Sequence, residues 1–256
     1  MIKLGVLGVG DLTEKMMRGL HRAGSGVRVL LSPRNQERAE RLARECGFEI
    51  LPTNQAVADA ADVVLIGVRP AQLDELARQV TLKSGQALIS VVAGVPVSEI
   101  ERLFGARPCS RAMLSAASEI NRSTVAVFPP ESMAAQLLAA LGNLVRLTTE
   151  REFELAMVAA CANGWFYFLI DELQRWFVQK GMSEESARTL TLSSIEDCVA
   201  YARHKSASDA GDIGASIASP GTYTALGLAV LNRHGAIAAW SAASDAVFEA
   251  LMPQGE

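Results

Sequence analysis

The sequence predicts a doubly wound α/β domain with a mostly parallel sheet, followed by an all-α C-terminal domain. Three observations carry this. Over the first 150 residues, short apolar runs alternate with amphipathic segments, the pattern of βαβ units. Several of those runs are apolar on consecutive residues, as strands are when helices cover both faces of their sheet. Beyond Thr149 the strand-like runs stop and long helical periodicities replace them. A chain of 256 residues accommodates two domains, and the change of character places them over 1–150 and 151–256.

The predicted strands cover 2–7, 27–31, 63–68, 87–92, 112–114 and 125–128. Between them, residues 37–46 and 98–104 read as helices stopped by Gly47 and Gly105. In the second half, helices are predicted over 150–180, ending at Gly181, and over 183–203, where Ser183 with Glu184 and Glu185 makes a capped, acidic start. Two more follow, over 223–233 and 236–251. The most apolar stretch, 155–170, contains Asn163 and Gly164 and is closed by Glu154 and Asp171. It is shorter than the roughly 20 residues a bilayer span requires, and reads as a buried helix at a subunit interface.

A net charge of −4 and the absence of any basic run exclude an electrostatic footprint for nucleic acid. Cys46, Cys109, Cys161 and Cys198 are widely spaced, as are His21, His204 and His234, so neither a disulfide framework nor a metal site is expected. MIKLGVLGVG runs straight into a glycine turn with no cleavage-site pattern, and together with the dispersed cysteines this points to the cytoplasm.

The sharpest motif is Gly8-Val9-Gly10-Asp11-Leu12-Thr13, which follows the first strand and opens a helix. It approximates the GxGxxG/A dinucleotide fingerprint of Rossmann domains: the first glycine permits the tight turn, and the second lets a pyrophosphate approach the helix N-terminus. Asp11 sets a carboxylate near those phosphates. An NAD site carries an acid at the end of the second strand for the ribose 2′-OH. Here that strand ends Leu30-Leu31-Ser32-Pro33-Arg34-Asn35, and the first acid after it is Glu37. A hydroxyl and a guanidinium suit a 2′-phosphate, so Ser32 and Arg34 point to NADPH; the alternative is that Arg34 is a solvated loop charge.

From the first strand onward the sequence resembles the pyrroline-5-carboxylate reductase family, enzymes that reduce a cyclic imino acid to proline with NAD(P)H. The resemblance rests on GVLGVGDLTEKMMRGL, DVVLIGVRPAQL, ISVVAGVPVSEIERL and ASPGTYTALGLAVL, in the family's order, and covers nearly the whole chain. It implies cofactor contacts from Leu7, Gly8, Val9, Gly10, Asp11, Leu12, Ser32, Arg34 and Asn54. It implies further contacts from Gly67, Val68, Arg69 and Pro70, where the family has AVKP, and from Val91, Val92 and Ala93. The family loop TSPGGTT corresponds to Ala218-Ser219-Pro220-Gly221-Thr222-Tyr223-Thr224. The resemblance makes Ser219, Thr222 and Tyr223 substrate-binding residues that grip a carboxylate, and Thr224 the catalytic residue beside the imine nitrogen. It also implies a homodimer, or a higher oligomer, assembled through C-terminal helices.

The family's MPNTP is Met113-Leu114-Ser115-Ala116-Ala117 here, and its SGSGPAY falls within AACANGWFY. In the loop a glycine becomes Thr222 and a small residue becomes Tyr223. The reading is an NADPH-dependent reductase of the C=N bond in a small, cyclic, carboxylated imine, either proline's precursor or a related one, and the departures keep a non-catalytic NADP-binding sensor or partner subunit as the alternative. A β-hydroxyacid dehydrogenase would share the two-domain plan, but that class needs a lysine on the first helix after the Rossmann domain, and residues 150–179 contain none.

Overall fold

Side chains alternate along a strand, so a run that is apolar at every position must be covered on both faces. The computed structural model, which describes residues 1–252, shows how the first half of the chain meets that requirement. Strands β1 (Lys3–Leu7), β2 (Arg28–Leu31), β3 (Glu49–Ile50), β4 (Val63–Ile66), β5 (Ala87–Ser90), β6 (Cys109–Met113), β7 (Ser123–Phe128) and β8 (Gly142–Arg146) form one sheet. Its order is β3-β2-β1-β4-β5-β6-β7-β8, and every neighbouring pair is parallel except β6 with β7.

Leu4 and Val6, Val63 and Leu65, and Ile89 enter one core; Leu7, Val64, Ile66 and Leu88 enter the other. Helices α1 (Asp11–Arg22), α2 (Gln36–Cys46) and α6 (Met133–Leu138) close the first core, and α3 (Asn54–Ala60), α4 (Leu73–Gln79) and α5 (Val97–Phe104) close the second. The fold is therefore a doubly wound, mostly parallel α/β sheet followed by helices, as the sequence predicts. β1 has β2 on one side and β4 on the other, which makes the ends of β1 and β4 the topological switch point of the sheet.

The sequence reading misses β3 and β8, and the short helices α3, α4 and α6. It starts the sixth strand late because Cys109, Ser110 and Arg111 look polar. Arg111 is nevertheless 1% exposed. Its guanidinium lies over the Phe153 ring, 4.2 Å from the centroid, and donates to Glu154 at 2.6 Å and Glu150 at 3.3 Å. Nε and Nη2 of Arg111 and one Glu154 oxygen have no hydrogen-bond partner.

The chain forms two compact units: Met1–Ala160 with Leu251, and Cys161–Ala250. The division between these compact units falls inside α7 (Glu150–Gln179), because the first turns of this helix bury Phe153 against Met113 and Ala126. The second unit continues through α8 (Glu184–His204), α9 (Ala210–Ile217), α10 (Tyr223–Arg233) and α11 (Ala236–Leu251). Trp240 stacks on Phe166 at 5.4 Å and meets Trp165 at 6.1 Å. No residue of α9, α10 or α11 is buried, while Phe168, Leu169, Leu226, Leu231 and Ile237 are exposed. α7 runs well beyond the apolar stretch 155–170. By length and composition it is the one helix among the described residues long and apolar enough to cross a membrane, a test that a core helix also passes.

Candidate active site

The loops after β1 and β4 meet at the switch point. Gly8 has φ +97°, and a Cβ there would lie 2.7 Å from Val68 Cγ1 and 2.9 Å from the Gly67 carbonyl carbon, so backbone conformation and close approach both require glycine. The Gly8 amide donates to Ser32 Oγ at 3.1 Å, and the Gly67 amide donates to the Leu7 carbonyl at 2.9 Å. These loops border an open cleft of about 490 Å³. Gly8, Val9, Gly10 and Asp11 line one wall, Gly67, Val68, Arg69 and Gln72 another, and Arg34, Asn35, Gln36 and Arg38 one end.

Gly10 is the N-cap of α1 and offers no side chain to the first-turn amides, whose partial positive charge is left for a ligand. Its φ of −86° suits any residue, and a Cβ would meet no protein atom closer than 3.7 Å. Nothing in the protein demands glycine here; a phosphate brought against the backbone would. The cleft therefore fits a dinucleotide's pyrophosphate.

Three arginines, Arg34, Arg38 and Arg69, are among the residues that line this cleft. The Asp11 carboxylate that the sequence sets near the phosphates is engaged by Lys15 and by Arg38, the latter at 3.2 Å. The Lys15 hydrogen bond, aided by Arg38, holds its carboxyl below the ordinary value. Arg38 also bonds Glu14. Burial alone would push the Glu14 carboxyl up, but hydrogen bonds from Arg41, Arg38 and Arg18 outweigh it and hold the group below the usual range. Arg34 is held more loosely, with Glu75 at 3.9 Å.

The cleft gathers Gly8, Val9, Gly10, Asp11, Arg34, Gly67, Val68 and Arg69 from among the expected residues. Others stand elsewhere. Ser32, expected to meet the cofactor with its hydroxyl, is fully buried and accepts the Gly8 amide instead; it braces the loop. Leu7 and Val92 are core side chains. The Asn54 amide donates to Gln79 at 2.9 Å and does not line the cleft. Leu12, Pro70, Val91 and Ala93 are also outside its lining. The sequence reading misses Arg38, although its place in the first turn of α2, just past Arg34, is a usable signal.

In the second unit, Ser219-Pro220-Gly221-Thr222 forms a turn closed by the Thr222 amide on the Ser219 carbonyl at 3.2 Å, with Gly221 at φ +88°. Thr222 is the N-cap of α10: Oγ1 accepts from the Ala225 amide at 3.1 Å and donates to the Ser219 carbonyl at 2.8 Å. Its hydroxyl thus caps the helix, a structural role beside the substrate-binding one that the resemblance implies. A Thr directly before a helical run carries a cap signal that finds this role. Tyr223 is 94% exposed, and Ser219 and Thr224 are exposed too.

Residues 3–94 match the family profile described as NADP oxidoreductase coenzyme F420-dependent, and residues 150–251 match that of pyrroline-5-carboxylate reductase dimerisation. The chain is 26% identical over 206 residues to a pyrroline-5-carboxylate reductase of Pseudomonas aeruginosa, covering 75% of each. Its fold superposes on the 1-pyrroline-5-carboxylate reductase of Streptococcus pyogenes with a TM-score of 0.88, at 22% identity over 98% of both chains. The Plasmodium falciparum pyrroline carboxylate reductase, solved with NADP bound, gives 0.87 at 19% identity, over 98% of this chain and 97% of that one. The two halves of the chain thus match, in order, an NADP oxidoreductase profile and the dimerisation profile of pyrroline-5-carboxylate reductase, and along most of its length the chain is similar to pyrroline-5-carboxylate reductases.

Proposed function

We propose that this chain is an NADPH-dependent reductase of the C=N bond in a small, cyclic, carboxylated imine. The observation that carries the reading is the open Gly8–Gly10 loop in a cleft lined by three arginines, in a chain that also retains Ser219-Pro220-Gly221 and Thr224. NADPH, when bound, supplies the hydride. Gly10 and the first-turn amides of α1 hold the pyrophosphate, and Arg34 with Arg38 holds the 2′-phosphate. In the second unit, the amides of Tyr223 and Thr224 open the N-terminus of α10 and, with the Ser219 hydroxyl, hold the substrate carboxylate. Thr224 Oγ1 donates a hydrogen bond to the imine nitrogen, which takes its proton from solvent as the hydride reaches the carbon, and the Tyr223 ring limits which imine is accepted.

The test is NADPH oxidation measured across five- and six-membered cyclic imines, with and without a carboxylate. Turnover is expected on carboxylated imines, and Thr224→Ala should lower kcat by about 10²-fold while leaving NADPH binding unchanged. A parent protein that binds NADPH and reduces none of them is a sensor, and the proposal falls.

We also propose that two copies associate through their C-terminal helices. The match of 150–251 to a dimerisation profile supports this, as do the unburied α9–α11 with their exposed apolar side chains. A stable monomer in sedimentation at micromolar concentration would refute it. The four cysteines are free thiols, in keeping with a cytoplasmic location.

A further inference from the structure

Gly67 is a glycine that its own backbone does not explain. Its φ lies outside the left-handed region, so an L-residue is permitted, yet a Cβ would stand well under 3.0 Å from Thr13 Cγ2. Its next neighbours are looser, the Gly8 carbonyl oxygen at 3.2 Å and Val91 Cγ2 at 3.4 Å. The methyl group of Thr13 is the chief obstacle to a side chain at 67, and the Gly8 carbonyl is a lesser one.

Thr13 is equally unexpected. It occupies the third glycine position of the fingerprint, where close packing of helix on strand calls for a minimal side chain. It is 1% exposed, and Oγ1 lies 2.9 Å from the Gly8 carbonyl and 3.1 Å from the Gly10 carbonyl, with a single hydrogen to share between them. The volume that a side chain at 67 would fill is filled from α1 instead, and the exchange brings a hydroxyl under the turn.

We infer that Thr13 and Gly67 are a matched pair that sets the position of the Gly8–Gly10 loop: the Thr13 methyl fills the space left by Gly67, and the hydroxyl pins both glycine carbonyls. With Ser32 Oγ on the Gly8 amide, the turn is held from two sides while its ligand-facing edge stays open. Both are positioning residues, because neither side chain lines the cleft; Gly67 contributes only backbone to it. The inference rests on the cleft being the NADPH site.

The test is a double-mutant cycle read by calorimetric NADPH binding at a temperature where every variant is folded, and separately by thermal unfolding. Gly67→Ala should weaken NADPH about tenfold or more, because the Thr13 methyl must move and carry the loop with it. Thr13→Ser removes that methyl and keeps the pin, and should stay within about threefold of the parent. Combined with Gly67→Ala, it should restore affinity to within about threefold of Thr13→Ser alone. Thr13→Val keeps the branch and loses the hydroxyl, and should weaken NADPH by about fivefold.

The pair is overturned if Gly67→Ala binds like the parent, if Thr13→Ser gives no rescue, or if the variants shift unfolding with affinity unchanged. Should Gly67→Ala fail to fold, recovery of folding by Thr13→Ser decides for the pair and its absence decides against. If the parent binds no NADPH, the cofactor reading fails and so does the loop-positioning role. The packing of Thr13 against position 67 is then judged separately, by whether Thr13→Ser reverses the drop in unfolding temperature caused by Gly67→Ala.

Discussion

Replacing Arg34 should convert cofactor preference without harming the pyrophosphate site. The guanidinium lines the cleft and is only loosely held, 3.9 Å from a half-exposed Glu75, so it is free to meet a 2′-phosphate. A hydrogen bond to a charged group contributes about 1.5–3 kcal/mol, and partial solvent exposure of Arg34 favours the low end, about 1.5 kcal/mol. That is about tenfold in Kd. Arg34→Ala should therefore weaken NADPH about tenfold and leave NADH unchanged, and Arg34→Asp, which adds repulsion, should weaken it by about 10²-fold. Arg38 divides its guanidinium between Asp11 and Glu14, so Arg38→Ala should cost less, about threefold. Calorimetric titration with both nucleotides checks this, and raising the salt should shrink the NADPH difference first. Equal affinity of the parent for NADH and NADPH, or equal weakening of both by Arg34→Ala, would refute the reasoning.

Two further predictions concern charges the cofactor does not touch. Arg111→Ala should destabilise the protein by about 3–5 kcal/mol, because it leaves Glu154 buried without its cation. Arg111→Met with Glu154→Leu should cost far less, since the native pair leaves three polar atoms unsatisfied; urea unfolding of both variants checks the contrast. The depressed Glu14 carboxyl contributes stability that is present above the ordinary carboxyl value of 4.5 and lost as pH falls through its lower folded value. The unfolding-temperature gap between the parent and Glu14→Gln should accordingly close as pH drops below 4.5, and a gap constant from neutral pH to pH 3 would contradict the assignment.

Much of the first unit was legible because its signals are local. β1, β2, β4 and β5 are apolar at consecutive positions, and Gly8 and Gly10 stand between a strand and a helix where the fingerprint needs them. What was not legible depends on partners far apart in sequence. Arg38 meets Asp11 across 27 residues, and Arg111 meets Glu154 across 43. An arginine in a strand reads as polar until the acid on α7 and the Phe153 ring are brought over it. β8 is a half-buried strand at the edge of the sheet, so its residues carry neither the continuous apolar run of a central strand nor a clean alternation. Ser32 was placed correctly at the end of β2, but residue type cannot say whether a hydroxyl turns toward a ligand or toward the amide of Gly8.

The departures from the family pattern divide by whether the surrounding unit answers them. Thr13 in place of the third glycine is answered by Gly67. Asp11, an acid beside a phosphate site, is answered by Lys15 and Arg38. Thr222 in place of a glycine becomes the N-cap of α10. Ser115, within the stretch that replaces MPNTP, accepts the Ala117 amide and has its own amide bound by Ser123 Oγ at 2.8 Å. Tyr223 is different: at 94% exposed, its ring is answered by nothing in its own unit, and no folding argument accounts for a large aromatic where the family keeps a small residue. A ring that its own unit neither needs nor opposes takes its role from what meets the start of α10. The cofactor half is thus expected to bind its nucleotide as the residues of its cleft indicate, and the imine accepted is where this chain should differ from the enzymes it resembles.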